Sequence, residues 1–141
     1  MYFPFYHGEK NDGVELFADL GLRADPNLFK KRHEGGIPMV KLVSTLKRPP
    51  TMSLDEFHRW WLGPHAAMAK DYPGLKKYVI SLAIGARDGE PKYDGIAELW
   101  FEGMDDLNKI YASPGFLEAR KDVMERGISV VTIFTEEHAV L

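Results

Sequence analysis

The chain has no cysteine. That excludes disulfides, thiolate nucleophiles, iron–sulfur clusters and cysteine-type zinc sites together. It has no large excess of charge either: 18 Lys and Arg stand against 21 Asp and Glu, a formal net charge of −3. Nucleic-acid binding draws its affinity from a basic face that displaces counterions, and this balance argues against it. No apolar run approaches the ~20 residues that a membrane helix needs. The start, MYFPFYHGEK, lacks the basic opening and long apolar stretch of a secretion signal. These absences lead us to expect a cytoplasmic protein without membrane or nucleic-acid partners. Local cofactor motifs are missing as well: there is no P-loop, no G-x-G-x-x-G fingerprint and no G-x-S-x-G elbow. What remains is an ordinary globular composition, 45% hydrophobic and 28% charged over 141 residues, enough for one domain with a real core.

The most informative stretch is RPPTMSLDEFHRWWLGPHAAMAKDYPGLKKY, Arg48 to Tyr78. Pro49 and Pro50 keep the chain out of helix. Ser53 followed three residues later by Glu56 is a capping box, so a helix starts here. Phe57, Trp60 and Trp61 recur at helical spacing. Gly63-Pro64 then breaks the helix, because Pro64 has no N–H for the carbonyl of Trp60. His65 follows at once. It admits two readings. One is a helix-end histidine bonded to a carbonyl that the break sets free. The other is a general acid or base, kept neutral in the first turn of a restarted helix by the positive end of its dipole. His58 lies seven residues earlier, ~10.5 Å along an unbroken helix, too far for both imidazoles to reach one zinc at ~2.1 Å. No metal site is expected.

Alternation and turn residues place the rest. Val40 to Leu46 reads as a strand with Val40, Leu42, Ser44 and Leu46 on one side. Pro73-Gly74 is a turn. Leu75 to Ile84 is a second strand with Tyr78, Ile80, Leu82 and Ile84 on one side. Tyr93 to Phe101 is a third, with Asp94, Ile96, Glu98 and Trp100 on one face, and Asp88-Gly89 suggests a hairpin between the two. A second helical stretch begins near Met104, restarts at Ser113-Pro114 and stops at Gly127. Ile128 to Phe134 is a fourth, β-branched strand, and Ala139 to Leu141 form a tail able to pair at an edge. The order βαββαβ is the split β-α-β plan of a ferredoxin-like α+β fold. Helices cover one sheet face, and the other carries apolar groups too, which a twofold dimer would close.

Ahead of this lies an extension, residues 1–38. Tyr2, Phe3, Phe5 and Tyr6 make an aromatic start that calls for a packing partner. Short helices are expected from Asp12 to Gly21 and from Asp25 to Gly35. Lys30, Lys31, Arg32 and His33 then either offset the second helix dipole or form an anion-binding patch.

Beside His65, several residues carry candidate chemistry. Asp94 and Glu98 are carboxylates on a common face, either solvated or buried with a raised pKa. Tyr78 and Tyr93 are phenol donors for a carbonyl or enolate, or core tyrosines with satisfied hydroxyls. Trp60 and Trp61 diverge by about 100° around the helix, so one packs in the core and the other is free to line a wall. Trp61 and Lys41 are kept as candidate ligand contacts.

The segment KRPPTMSLDEFHRWWLGPHAAMAKDYPGLKKYV, with YDGIAELWFEGMDDLNKIYASPGF later, resembles EthD-domain proteins over about Met39 to Leu141. The resemblance implies a dimeric α+β barrel, similar in fold to muconolactone isomerases and cofactor-free polyketide oxygenases. It matches His65 to a position proposed as functional in EthD-like isomerases and dehydratases, and it places Asp94 within a family-like YDG motif. The expectation is a cofactor-free enzyme, an isomerase, cyclase or dehydratase, acting on a lactone, aromatic or polyketide-like substrate. His65, Asp94 and Tyr78 would be its catalytic residues, with Trp61, Tyr93, Glu98 and Lys41 around the ligand. The alternatives are a non-catalytic accessory protein of a degradation pathway and a cofactor-free oxygenase.

Overall fold

The structure is a computed structural model that describes residues 39–141. The short helices and aromatic start expected within residues 1–38 lie outside the described residues. Four strands, β1 (Val40–Lys47), β2 (Leu75–Leu82), β3 (Gly95–Phe101) and β4 (Ser129–Glu136), form one antiparallel sheet in the order β2-β3-β1-β4. The helices are α1 (Leu54–Trp60), α2 (Met104–Tyr111) and α3 (Pro114–Glu125). With strands and helices in βαββαβ order, this is the ferredoxin-like α+β fold.

Local chemistry sets the element ends. Ser53 caps α1 through both halves of the capping box, Glu56 N–H to Ser53 Oγ at 3.2 Å and Ser53 N–H to Glu56 Oε2 at 3.3 Å. Ser113 caps α3, with Pro114 in the first turn, where its missing N–H costs nothing. Gly127 ends α3 at φ +69°, a left-handed conformation that suits glycine. β2 and β3 are joined as a hairpin across the Asp88-Gly89 loop. Three details differ from the sequence reading. β2 ends at Leu82, leaving Ile84 fully exposed. β3 starts at Gly95; just before it the Asp94 N–H bonds the Leu46 carbonyl at 2.8 Å, and the Asp94 carboxylate takes Arg48. Among the described residues the tail after Glu136 adds no strand pairing, and Glu137 bonds Lys41 and Trp100 instead.

Register divides the sheet into two faces. Val40, Leu42, Ser44 and Leu46 lie opposite Phe101, Leu99, Ala97 and Gly95, all nearly or fully buried. The main core lies on this side, with Phe57, Trp60, Trp61, Leu107 and Ile110 of the helical layer also buried. Each such large side chain contributes about 1.5–3 kcal/mol by leaving water. Gly95 is required here: a Cβ would lie 2.6 Å from Trp61 Cζ3 and 2.5 Å from the Ser81 carbonyl oxygen. The opposite face carries Lys41, Val43 and Thr45 of β1 beside Ile96, Glu98 and Trp100 of β3 and Val131, Ile133 and Thr135 of β4. Ile96, Val131 and Ile133 are exposed on it.

Candidate functional site

The helix break forms as its sequence requires. α1 widens into a π-type turn, Trp61–His65, in which Gly63 leaves helical geometry at φ −101°, ψ −106°. The chain then resumes helical dihedrals at Ala66 and tightens into a short 3₁₀ turn, Met68–Asp71. His65 is therefore the last residue of the widened turn rather than a first-turn residue of a new long helix.

Its imidazole meets a carboxylate that lies 57 residues away in sequence. His65 Nδ1 is 3.2 Å from Asp122 Oδ2 on α3. The same oxygen accepts the Trp60 indole N–H at 2.7 Å, and Asp122 Oδ1 accepts from Arg126 Nε at 2.7 Å. The His65 ring also stacks on Trp60, with centroids 4.4 Å apart and planes tilted by 35°. Arg126 lies over the same indole, its Cζ 5.7 Å from the Trp60 centroid. Both members of the His65–Asp122 pair are nearly buried, with side chains 12% and 15% exposed. Among the described residues, His65 Nε2 makes no hydrogen bond.

The electrostatics follow from this packing. Burial holds the His65 imidazolium below the ordinary histidine range, against the pull of the Asp122 carboxylate, and the Arg126 charge adds a small push the same way. The lowering has the direction expected from sequence, but burial causes it rather than a helix dipole. For Asp122, burial acts to raise the pKa, but hydrogen bonds from Arg126, Trp60 and His65 outweigh it and hold the carboxyl below its usual range. A neutral imidazole beside an ionised carboxylate can exchange a proton near neutral pH.

Tyr78 belongs to a neighbouring aromatic cluster. Burial pushes its phenol pKa up, and the nearby Trp61 N–H works against that rise. That contact falls short of hydrogen-bond geometry, so Trp61 Nε1 is buried with no acceptor among the described residues. Tyr72, also raised by burial and by the proximity of Tyr78, packs edge-on to Phe116, which in turn meets Tyr111. Trp61 itself is fully buried against Phe57 and over Gly95. Of the adjacent tryptophans it is Trp60, not Trp61, that contacts His65.

The other candidates lie elsewhere. Asp94 is buried, and its carboxylate takes the Arg48 backbone N–H at 2.7 Å and the Arg48 guanidinium. It fastens the end of β1 to the entry of β3, so it is neither the solvated surface acid nor the buried, partly unpaired one that the sequence allowed. Tyr93 sits in the loop before it, with Lys92 Nζ 5.9 Å from its ring centroid. Lys41 and Glu98 form an ion pair at 3.1 Å on the opposite sheet face, shared with Glu137 at 3.1 Å. Trp100 lies beneath Lys41 and Lys77, at 5.1 and 4.7 Å, and donates to Glu137 at 3.3 Å. The sheet thus separates Lys41 and Glu98 from His65, and the seven candidates do not converge on one site within a protomer.

Two residues of the histidine cluster, Asp122 and Arg126, have no part in the site as read from sequence, and Trp60 enters it only as one of two tryptophans that could line a wall. Asp122 and Arg126 form a visible i, i+4 pair, but nothing local shows that the pair serves a histidine on another element.

Comparison with known proteins places the chain. Solved structures share its fold at low identity. An EthD family protein from Bacillus halodurans is 22% identical, with a TM-score of 0.61 over 71% of this chain and 99% of its own. A dimeric ferredoxin-like protein of unknown function from Thermobifida fusca is 15% identical, with a TM-score of 0.59 over 71% and 92%. SnoaB, a cofactor-independent oxygenase from Streptomyces nogalater, is 17% identical, with a TM-score of 0.55 over 74% and 97%. Among curated proteins, none matches the chain significantly. The sequence profile of the EthD domain matches residues 49–126, more than half of the chain and the whole of the segment from the Pro49-Pro50 entry to Arg126. The protein belongs to the EthD family.

Proposed function

We propose that the protein is a cytoplasmic, homodimeric enzyme that uses no cofactor and moves a proton on a small hydrophobic substrate through His65. The carrying observation is the histidine itself: a nearly buried imidazole, stacked on Trp60, tied at Nδ1 to Asp122 and, among the described residues, without a hydrogen bond at Nε2. A group whose pKa is kept at or below neutrality suits abstraction of a proton from an activated carbon or a phenol, and its return elsewhere. Isomerisation, cyclisation or dehydration of a lactone, aromatic or polyketide-like compound all fit that step. The Trp60 ring face on which the imidazole stacks suits an apolar ring better than a charged substrate.

The dimer rests on the open sheet face. Ile96, Val131 and Ile133 are exposed there beside Val43, and a second copy related by a twofold axis would cover them and close a barrel. The dimeric Thermobifida fusca protein of the same fold supports this arrangement.

The likeness to a cofactor-independent oxygenase favours one further reading. Deprotonation by His65 would make an electron-rich aromatic anion, and dioxygen would then be the oxidant. One experiment addresses both readings: a thermal-shift screen of small lactones, phenols and quinones, followed by product analysis with and without dioxygen for the parent and for His65→Ala. The proposal expects ligand stabilisation in both proteins and a loss of turnover by about 10²–10⁴ in the variant. Full turnover in folded His65→Ala would overturn it, and binding without any product in the parent would leave an accessory, ligand-carrying protein.

A further inference from the structure

We infer that Asp122 is a positioning residue that fixes the tautomer of His65, so that Nδ1 carries the proton and Nε2 presents the lone pair. This rests on the reading of His65 as the proton-transfer residue and adds the direction of the first step: His65 acts as a base before it acts as an acid.

The argument is one of donors and acceptors. Asp122 Oδ1 accepts from Arg126 Nε at 2.7 Å, and Oδ2 accepts from Trp60 Nε1 at 2.7 Å. Both donors carry hydrogens they do not give up, so each carboxylate oxygen is already an acceptor. An ionised carboxylate has no proton to offer. The 3.2 Å contact between Oδ2 and His65 Nδ1 is then a hydrogen bond only if Nδ1 donates. In the neutral ring the other nitrogen must be bare. Trp60 makes the arrangement rigid, because it holds Asp122 through its N–H and carries the imidazole on its ring face.

Arg126 sets the balance. The charged groups facing the imidazole both come from α3, Asp122 in contact and Arg126 behind it. Asp122 alone would draw a proton onto Nε2 and block the base. Arg126 shares that charge, and burial disfavours imidazolium further. The ring therefore stays neutral while still aligned. Such a base suits a substrate with an acidic C–H or phenolic O–H placed against Nε2. The proton moves from that atom to Nε2, the electron pair stays on the substrate as an enolate or phenolate, and Asp122 stabilises the resulting imidazolium without itself being protonated.

The test needs no substrate. Nitrogen-15 NMR of the full chain at pH 8 reads the tautomer of each histidine, with His65→Gln assigning the resonance. The expected result is the Nδ1–H form for His65. Asp122→Ala, which removes the acceptor, should move the population toward Nε2–H, while Asp122→Glu should keep Nδ1–H. An Nε2–H ring in the parent, or no change in Asp122→Ala, would overturn the inference. Should Asp122→Ala fail to fold, Arg126→Gln serves: it should keep Nδ1–H and raise the His65 pKa, and an unchanged or lowered pKa counts against the role given to Arg126. The two levels of the account fail separately. The expected tautomer combined with full turnover in His65→Ala would show Asp122 positioning a structural histidine, and an Nε2–H ring with turnover lost in His65→Ala would leave the catalytic histidine standing without its positioning residue.

Discussion

The two faces of the sheet handle polar groups in opposite ways. On the open face the charges satisfy one another: Lys41 lies between Glu98 and Glu137, and Glu137 also takes the Trp100 N–H. On the helix-covered side, Trp60, Arg126 and His65 converge on one carboxylate, Asp122, and among the described residues the second nitrogen of the imidazole makes no hydrogen bond. A self-satisfied ion cluster set among exposed Ile96, Val131 and Ile133 suits a surface that a protein partner covers. A network with one open valence suits chemistry on a small molecule. The difference teaches that the count of titratable groups is a poor guide to a site here; what matters is whether their bonding is closed.

The contrast can be broken from either side. The largest effect is expected on the open face. Ile133→Asp places a charge where the second copy would sit, and it should weaken self-association by about a hundredfold or more, the scale of an unpaired buried charge. Sedimentation velocity would show monomer, with the far-ultraviolet spectrum and folding cooperativity kept, because the core of the protomer lies on the other face. A variant that stays dimeric would move the interface elsewhere.

On the covered side, Gly95→Ala should destabilise the fold by about 1–3 kcal/mol, since its Cβ would press on the Trp61 ring and the Ser81 carbonyl. The denaturant midpoint should fall while the sedimentation coefficient of the folded protein stays the same. Equal stability would mean that Trp61 is not seated on β3 as described.

The smallest effect is a pH dependence. The His65 pKa is lowered on folding, so the unfolded chain takes up that proton first. Its contribution to stability is complete above the ordinary value of 6.5 and is lost as pH falls from there toward the lowered folded value. Asp122 adds a second loss at more acid pH, below its ordinary 3.8, for the same reason of sign. Denaturant midpoints between pH 8 and pH 5 should decline in the parent and flatten in His65→Gln. Parallel curves for the two would place the lost stability on other groups.

What the sequence made legible was local. The capping box of Ser53 and Glu56, the Ser113-Pro114 restart, the Gly127 stop and the alternation of β1 all depend on residues within a few positions of each other, and the structure repeats them. The βαββαβ order followed from them. The break at Gly63-Pro64 was legible as well, although its form, a widened turn ending at His65, was not. The bonding around the histidine was hidden because it is set by packing between α1 and α3, where an acid 57 residues away arrives through tertiary contact alone. The same limit explains Asp94, whose partner Arg48 lies across the sheet end. Lys41 and Glu98 show another form of it. Alternation assigns them to the opposite side of their strands from Val40 and Leu99, but only the register with the helical layer in place shows that His65 lies on the other face. Trp60 and Trp61 diverge as helical spacing requires, yet the packing of Trp61 over Gly95 decides which one reaches the histidine.

The most direct test of the account is the location of a bound ligand. A compound that stabilises the protein in the thermal-shift screen should be titrated into nitrogen-15-labelled protein and its shift perturbations mapped. The account predicts that they centre on His65, with Trp60 and Asp122 affected, and that the His65 Nε2 signal moves most. Perturbations confined to Lys41, Glu98 and Trp100, with His65 unmoved, would contradict it.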